Sequence, residues 1–361
     1  MQNAIEMVNI TKTFGDKVVA NSNVTMNIRH KEILSLLGEN GSGKTTLMNM
    51  LAGIYYPDSG QIFFDGKEVS ITSPSDAYHL GIGMVHQHFK LIDVFSALEN
   101  ILLGLPSKLD GKEVRNKVEE ICNKYGFELN LDAKVYDMSV SEKQTLEIVK
   151  TLYRGAEVLI LDEPTAVLTP QETRKLFNVI KNMRDDGKAI VIITHKLNEV
   201  LEVSDRVTIL RKGEYVGTVD TKDATEQLLT EMMVGQKVEL NINRDLIEHK
   251  EKRLEVAHLT VTNNEGKKVV NDATFDLYSG EIMGIAGISG CGQKELLEAI
   301  MGLTKADDDS SVIYHSTAHG DHQLVGLSTE KIRGFGLHLA FVPEDRLGMG
   351  LVGNMGMTEN V

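Results

Sequence analysis

A glycine-rich loop between an apolar strand and a helix constrains this chain more than any other feature. Residues 38–45 read Gly-Glu-Asn-Gly-Ser-Gly-Lys-Thr, between the apolar run 33–37 and the helical pattern 46–52. Glycines let the backbone curl so that successive N–H groups point inward, and a helix N-terminus favours an anion. The sequence therefore predicts an α/β fold with a phosphate-binding loop. Lys44 would reach the β- and γ-phosphates, and the Thr45 hydroxyl would ligate Mg²⁺.

The bulk composition limits the classes of function. A length of 361 residues fits more than one ordinary domain. The net charge of -14 disfavours a generic nucleic-acid binder, so we expect no nucleic-acid partner. Cys122 and Cys291 lie far apart and suggest no disulfide framework. We also expect no secretory signal. We expect no membrane span, because no apolar run approaches about 18 residues.

The chain repeats itself. A shift of 249 positions aligns the first fifty residues with a second copy without a gap, including the glycines of the loop. The paired glycines are Gly38 with Gly287, Gly41 with Gly290, and Gly43 with Gly292. We predict a first domain over 1–235, a linker over 236–252 and a second copy over 253–361. Because the match ends where 359–361 corresponds to 99–101, we expect an incomplete second copy and a C-terminally truncated chain.

Two further apolar runs end in residues suited to catalysis. Run 158–161 leads into Asp162 and Glu163, as a buried parallel strand does when it delivers carboxylates to one sheet edge. Asp162 would hold Mg²⁺ through water, and Glu163 would orient and deprotonate the attacking water. Run 189–193 leads into His195, which we expect near the γ-phosphate. The alternative interpretation is an ordinary core strand with a solvated acidic end.

Two other segments complete the pattern. Gln87 follows the short run 82–85, where a neutral amide can reach both Mg²⁺ and the water without adding charge. Residues 112–125 carry a helical apolar stripe, and a helix is predicted from Thr145. Between these two helices lies a short segment that begins with Ser139.

The loop, Gln87, the segment that begins with serine, the Asp162–Glu163 pair and His195, in this order, resemble the nucleotide-binding domain of ABC transporters. The resemblance implies a P-loop NTPase fold of the ABC type, with a mixed-sheet core and a helical subdomain at about 89–155. Two such domains in one chain look like the ATP-binding subunits of bacterial importers of simple sugars (ribose/galactose type) or nucleosides. Residues 153–172 and 342–346 are similar to the nucleoside branch.

The resemblance also implies the ligands and the residues that hold them. ATP lies between the P-loop of one domain and the signature loop of another, in a head-to-tail pair. Phe14 should stack on adenine, with Val19 beside it. The expected ATP-binding residues are Phe14, Val19, Gly38, Glu39, Asn40, Gly41, Ser42, Gly43, Lys44, Thr45 and Thr46. The expected catalytic residues are Lys44, Gln87, Glu163 and His195, and the expected Mg²⁺ ligands are Thr45, Gln87 and Asp162.

The second copy departs from the pattern at its own loop. Gln293 stands in place of Lys44 and Lys294 in place of Thr45, so the γ-phosphate loses its cation and Mg²⁺ loses its hydroxyl. Asn263 replaces Phe14, and Glu344 replaces Gln87. The degenerate loop comprises Gly287, Gly290, Gly292, Gln293 and Lys294. We expect this second site to bind nucleotide weakly and to hydrolyse it poorly.

The signature loop of the first copy is altered too. Val140 and Ser141 stand at its two glycine positions, and Glu142 stands at the glutamine. Its residues are Ser139, Val140, Ser141, Glu142 and Gln144. Because this loop serves the degenerate second P-loop, both defects belong to one composite site. Thr169 stands where many relatives have aspartate. His315, His319 and His322 in the second copy are expected in a solvated loop rather than in a metal site.

The resemblance therefore implies an importer ATPase that converts ATP and water to ADP and phosphate. It would lie at the cytoplasmic face of a bacterial plasma membrane, with permease subunits as partners and a substrate-binding protein as an indirect partner. Residues 88–98 would contact the permease. One alternative is a soluble ABC ATPase acting on nucleic acid or ribosomes. The other is a nucleotide-binding module without turnover, because the 361 residues lack a second signature loop.

Overall fold

The chain folds into two compact units, Met1–Ile242 and Asn243–Val361. This computed structural model describes residues 2–15, 18–87, 89–105, 110–236, 250–263, 266–287, 290–317, 320–337, 340, 342 and 350–360. Within those residues, no helix combines the length and the apolar character needed to cross a bilayer.

The first unit contains ten strands and eight α-helices among its described residues. Its strands are β1 (Asn3–Phe14), β2 (Val18–Arg29), β3 (Ile33–Leu37), β4 (Ser59–Phe64), β5 (Lys67–Val69), β6 (Ile82–Val85), β7 (Val158–Asp162), β8 (Ala189–Thr194), β9 (Arg206–Arg211) and β10 (Glu214–Asp220). Its helices are α1 (Lys44–Leu51), α2 (Pro74–His79), α3 (Ala97–Leu102), α4 (Gly111–Tyr125), α5 (Val140–Tyr153), α6 (Pro170–Asp185), α7 (Leu197–Val203) and α8 (Glu226–Val234).

The strands form two sheets. An antiparallel sheet has the order β2-β1-β4-β5, and a mixed sheet has the order β10-β9-β3-β8-β7-β6. In the mixed sheet, strands β9 through β6 are parallel and β10 pairs antiparallel at one edge. Every residue of β3, β7 and β8 is buried. Burial on both faces is why these strands read as continuous apolar runs in the sequence.

The central strand β3 sends alternate side chains to different clusters. Leu34 packs in the core that contains the antiparallel sheet and α1, whereas Ile33 packs with α6 on the opposite face. This period of two is the geometry of a strand buried on both sides. The P-loop therefore starts from a strand that is buried on both faces, which fixes the position of the site.

A separate helical layer packs α3, α4 and α5 around its own core, which includes Ile101, Val118 and Leu146. The predicted helix at 112–125 is confirmed as α4, which Asp110 caps at its N-terminus. The prediction that the next helix begins at Thr145 is wrong, because α5 begins at Val140.

The second unit is smaller. Its strands are β11 (Lys252–Thr262), β12 (Lys268–Tyr278), β13 (Ser311–Ser316) and β14 (Gly320–Gln323), in the order β12-β11-β13-β14. Its α-helices are α9 (Gln293–Ile300) and α10 (Thr329–Gly334). The core of this unit packs α9 against the sheet through residues such as Leu259, Leu296 and Val312.

The repeat found in the sequence also appears in the backbone register. Ile10 pairs with Val24 in the first unit, and Leu259 pairs with Ala273 in the second, both displaced by 249 positions. The register shifts that follow these pairs recur at equivalent positions as well. The hairpin that precedes each P-loop is therefore built in the same way.

The two units differ in the segment that leads into the loop. Residues 281–287 form no strand, and Ile282 is 78% exposed, whereas Ile33 at the equivalent position is fully buried. Strand β3 is held between β8 and β9. The described part of the second unit contains no equivalent neighbouring strands, so the same apolar pattern has no strand with which to pair.

Candidate active site

The loop after β3 forms a cradle that requires glycine. Gly41 and Gly43 adopt φ values of 79° and 90°, in the left-handed region, and Gly43 immediately precedes α1. A Cβ atom at Gly43 would lie 2.2 Å from the carbonyl oxygen of Ala20. The chain can therefore make this turn next to β2 because no side chain is present.

Lys44 is folded into the loop. Its Nζ donates to the carbonyl oxygens of Gly38 at 2.7 Å and Glu39 at 2.8 Å. Burial lowers the pKa of Lys44, and the nearby carboxylates of Glu163 and Asp162 oppose that effect. Gly38 and Glu39, predicted as ATP-binding residues, thus hold the lysine through their carbonyl groups rather than lining the cavity themselves.

A cavity of about 570 Å³ opens above the loop. This volume lies within the range of small-molecule and cofactor sites. It is lined by Phe14, Val18, Val19, Ala20, Asn40, Gly41, Ser42, Gly43, Lys44, Thr45, Thr46, Gln87, Asp162, Glu163 and His195. The sequence analysis does not predict Val18 and Ala20 as cavity residues, although both adjoin the predicted Val19 on β2.

Thr45 and Asp162 meet at one side of the cavity. The Thr45 hydroxyl donates to Oδ1 of Asp162 at 3.4 Å, which joins the first turn of α1 to the end of β7. Burial raises the pKa of Asp162, although the hydrogen bond from Thr45 opposes that effect. With the amide of Gln87 in the same cavity, these groups are hard oxygen donors of the kind Mg²⁺ prefers.

Glu163 and His195 meet at the ends of two neighbouring strands. Oε1 of Glu163 lies 2.8 Å from Nδ1 of His195, and the Glu163 amide donates to the carbonyl of Ile193 at 2.9 Å. The other carboxylate oxygen, Oε2, is buried and has no hydrogen-bond partner among the described residues. Glu163 also adopts φ 48°, which is uncommon outside glycine and often marks a functional site.

A second network, missed from the sequence, fixes the loop after β7. Thr165 is 1% exposed, and its hydroxyl donates to the carboxylate of Glu199. Nζ of Lys196 donates to the carbonyl of Thr165 at 2.9 Å and to Glu199 at 3.0 Å. The residue that follows His195 is thereby tied to the loop that follows Glu163.

The predicted signature residues lie at the start of α5 rather than in a loop. Ser139 is the N-cap, and the carboxylate of Glu142 accepts from its amide and its hydroxyl, both at 2.8 Å. This capping box starts the helix earlier than predicted. Gln144 is buried and donates to the carbonyl of Pro164, so it does not share the exposed surface of Val140.

The second P-loop keeps the glycine backbone of the first. Gly290 and Gly292 have φ values of 80° and 90°. A Cβ atom added at Gly287 would lie 2.3 Å from the side-chain amide nitrogen of Gln293. The Gln293 side chain therefore packs against this glycine. Lys294 points toward Glu298 and is 57% exposed. Glu344, predicted to replace Gln87, lies outside the described residues.

Two of the three histidines singled out in the second unit are described, and they make separate contacts. His315 pairs with Asp321 at 2.7 Å, whereas His322 stacks on Phe335 with 4.0 Å between ring centroids. His319 lies outside the described residues. Within those residues, no group of three or more histidine, cysteine, aspartate or glutamate side chains is placed to hold a metal ion.

Comparison with known proteins bears on the family. The ABC transporter family model matches residues 21–166. The nucleoside import ATP-binding protein NupA of Lactococcus lactis subsp. cremoris is 44% identical over 364 residues, which are 100% of this chain and 70% of that protein. The guanosine import ATP-binding protein NupO of Bacillus subtilis is 42% identical, with 100% and 70% covered. The ribose import ATP-binding protein RbsA of Clostridium tetani is 36% identical, with 99% and 69% covered.

Solved structures share the fold. The cbiO1 structure from Clostridium perfringens, part of the ABC transporter complex cbiONQ, aligns with a TM-score of 0.56 and 29% identity, over 62% of this chain and 90% of that one. A dimeric post-hydrolysis state of the ATP-binding cassette MJ0796, bound to ADP and Pi, aligns with a TM-score of 0.53 and 26% identity, over 60% and 98%. The chain therefore belongs to the ABC transporter family, as an ATP-binding protein of the type found in sugar and nucleoside importers.

Proposed function

We propose that the first unit binds ATP with Mg²⁺ and hydrolyses it to ADP and phosphate in order to energise import. The observation that carries this proposal is the carboxylate of Glu163. One of its oxygens is paired with His195, and the other is buried at the cavity above Lys44 with no partner in the described part of the chain. A buried, unpaired acceptor beside a phosphate cradle is placed to receive the proton of an attacking water.

The residues present define the reaction in chemical terms. Water attacks the γ-phosphorus, the bond between that phosphorus and the β–γ bridging oxygen breaks, and the water proton passes to Glu163. Lys44 exchanges its bonds to the loop carbonyls for bonds to phosphate oxygens and stabilises their charge. His195 holds Glu163 and lines the same cavity, where it would contact the γ-phosphate.

Mg²⁺ would be held by the Thr45 hydroxyl, by Asp162 through water and by the Gln87 amide. All three residues line the cavity, and Thr45 is hydrogen-bonded to Asp162. When bound, the ion neutralises negative charge on the β- and γ-phosphates. Since few protein ligands are offered, phosphate oxygens and waters would complete its coordination, as is usual for Mg²⁺.

We further propose that the two units are parts of two cassettes in one chain. The assignment is 1–235 for the first, 236–252 for a linker and 253–361 for part of the second; residues 237–249 of the linker lie outside the described part. The shared hairpin register and P-loop backbone support it. The first loop keeps Lys44 and Thr45, whereas Gln293 and Lys294 replace them in the second loop, so we assign hydrolysis to the first loop.

The permease would dock in a groove of about 290 Å³ between β6, α2 and α5. Apolar side chains such as Ile54 and Met84 line it, together with Tyr78, which is 44% exposed. The charged side chains of the groove are mostly basic, because Lys90, Lys150 and Arg154 lie there with the single acid Glu147. An apolar segment that carries a carboxylate would complement it.

Lys150→Glu should therefore weaken co-purification with the permease and leave ATP binding unchanged. Lys112→Glu, an exposed lysine on α4 outside the groove, is the matched control. Equal loss in both variants would reject the groove as the docking surface. The predicted permease segment 88–98 overlaps the groove at Lys90, and His88 lies outside the described residues.

We propose nucleosides as the solute class, with a substrate-binding protein that delivers them and with this subunit at the cytoplasmic face of the membrane. The support is the ranking of identities, 44% and 42% to the nucleoside and guanosine proteins against 36% to 38% to ribose import proteins. The test is ATP-dependent uptake of labelled guanosine or ribose by vesicles that contain the complete complex. Ribose uptake alone would overturn the solute assignment, and ATPase activity untouched by Glu163→Gln would overturn the proposed site.

A further inference from the structure

Two residues outside the motifs contact the ring expected to stack on adenine. The rings of Phe14 and Tyr55 have centroids 5.0 Å apart and planes at 73°, an attractive edge-to-face arrangement. Nζ of Lys12 lies 5.6 Å from the centroid of the Phe14 ring, within the range of a cation–π contact. Phe14 itself is 37% exposed, and these two contacts help to fix the orientation of its ring.

Lys12 is itself held in place. Its Nζ donates to Oδ1 of Asp58 at 2.8 Å, and the amide of Thr13 donates to the other carboxylate oxygen at 2.6 Å. The Lys12 side chain is only 15% exposed, although it carries a charge. Asp58 therefore fixes both the lysine and the backbone next to Phe14.

The internal repeat provides a natural comparison. The amide of Asp58 donates to the carbonyl of Thr11, and the amide of Asp307 donates to that of Thr260, both at 2.9 Å, so the two turns are equivalent. The equivalent residues in the second unit are Val261 for Lys12, Asn263 for Phe14 and Thr304 for Tyr55. The acid is kept, while the cation and both aromatic residues are lost together. The loss accompanies the replacement of Lys44 by Gln293, which links these residues to nucleotide binding rather than to the fold.

Tyr55 acts through Phe14 and not on the ligand. Phe14, Val18 and Val19 line the nucleotide cavity, whereas Tyr55 contacts Phe14 without lining that cavity. We propose that Tyr55 and Lys12 are positioning residues that hold the Phe14 ring for stacking on the nucleotide base. This inference rests on the proposed ATP site. Because the base alone would be affected, binding of a bare triphosphate should not depend on either residue.

The test compares Tyr55→Leu and Lys12→Met with the unaltered full chain. Dissociation constants for Mg-ATP and for inorganic tripolyphosphate with Mg²⁺ are measured by calorimetry, together with a thermal unfolding curve for each variant. We expect ATP binding to weaken roughly three- to tenfold and tripolyphosphate binding to stay unchanged. Tyr55→Phe, which keeps the ring, should restore ATP binding. Tyr56→Leu is the control, because Tyr56 is 56% exposed and lines a separate surface cavity.

Two results would overturn the inference while leaving the ATP site intact. One is ATP affinity in Tyr55→Leu equal to that of the unaltered chain. The other is an equal loss of affinity for ATP and tripolyphosphate, which would indicate a general structural effect. If the unaltered chain bound neither ligand, the proposed ATP site itself would be wrong, and the inference would fall with it.

Discussion

Glu163 and His195 lie 2.8 Å apart, Oε1 to Nδ1, at the ends of the adjacent parallel strands β7 and β8. Strand pairing sets this distance, because Asp162 on β7 is the register partner of Ile193 on β8. The left-handed turn at Glu163 then directs its carboxylate toward the histidine rather than along the strand. The sheet therefore pre-forms the acid–imidazole pair, and nucleotide does not have to assemble it.

Glu163→Gln should keep ATP binding and lower the rate of hydrolysis. Removing a general base costs about 10²- to 10⁴-fold, and the amide preserves the shape of the side chain. The measurement is phosphate release by the complete complex at saturating Mg-ATP. Glu157→Gln is a matched control, because that residue lies just before β7 at the opposite end, paired with Lys188. Hydrolysis within threefold of the unaltered protein would show that Glu163 is not the base.

Asp162→Asn should raise the midpoint of thermal unfolding in the absence of nucleotide. Burial raises the pKa of Asp162, so its ionised form destabilises the folded state at pH values above its ordinary pKa. Asparagine removes that charge and can still accept the hydrogen bond from Thr45. The gain should therefore be present at pH 7 and disappear in acid, where the native residue is protonated as well.

The same variant should lose Mg²⁺-dependent ATP affinity. Titrations with and without Mg²⁺ measure this effect directly. A variant less stable than the native chain at pH 7, or one whose ATP binding still responds to Mg²⁺, would contradict the assignment of Asp162. This opposite movement of stability and function is the usual behaviour of a buried site charge.

The two cysteines should react at very different rates. Burial raises the pKa of the Cys122 thiol to about 11, whereas Cys291 is exposed in the second P-loop. Because the thiolate is the nucleophile, iodoacetamide at pH 8 should label Cys291 quickly and Cys122 only after unfolding. Mass spectrometry of peptides from native and denatured protein measures both rates. ATP should not protect Cys291, and protection would contradict the weak second site.

Ser139→Ala should destabilise the first unit by about 1 kcal/mol, because Ser139 caps α5. Glu142→Ala should cost a similar amount, and the double variant should cost less than their sum, because both residues belong to one capping box. Urea unfolding of the four proteins measures the coupling. Strict additivity would mean that α5 does not depend on this box.

Much of the fold follows from the sequence where burial is complete. The runs at 33–37, 158–161 and 189–193 form strands because both of their faces are covered, and α4 follows its apolar stripe. Helix α5 begins earlier than the apolar pattern predicts, because the reciprocal bonds of Ser139 and Glu142 start it at Val140.

Other features depend on contacts that no local pattern carries. Segment 281–287 has the apolar pattern of β3 and still forms no strand, since a strand needs neighbours. Lys196 and Glu199 look like ordinary surface charges until the fold brings Thr165 between them. Tyr55 belongs to no motif, and only the meeting of the turn after α1 with the end of β1 gives it a partner in Phe14.

Our central proposal is that the first P-loop of this chain binds nucleotide tightly and the second binds it only weakly. Calorimetric titration of the 361-residue chain with Mg-ATP tests it most directly, beside Lys44→Ala and Gln293→Ala. We predict one ATP per chain, lost in Lys44→Ala and retained in Gln293→Ala. Two equivalents of ATP per chain, or binding that survives Lys44→Ala and is lost in Gln293→Ala, would contradict it.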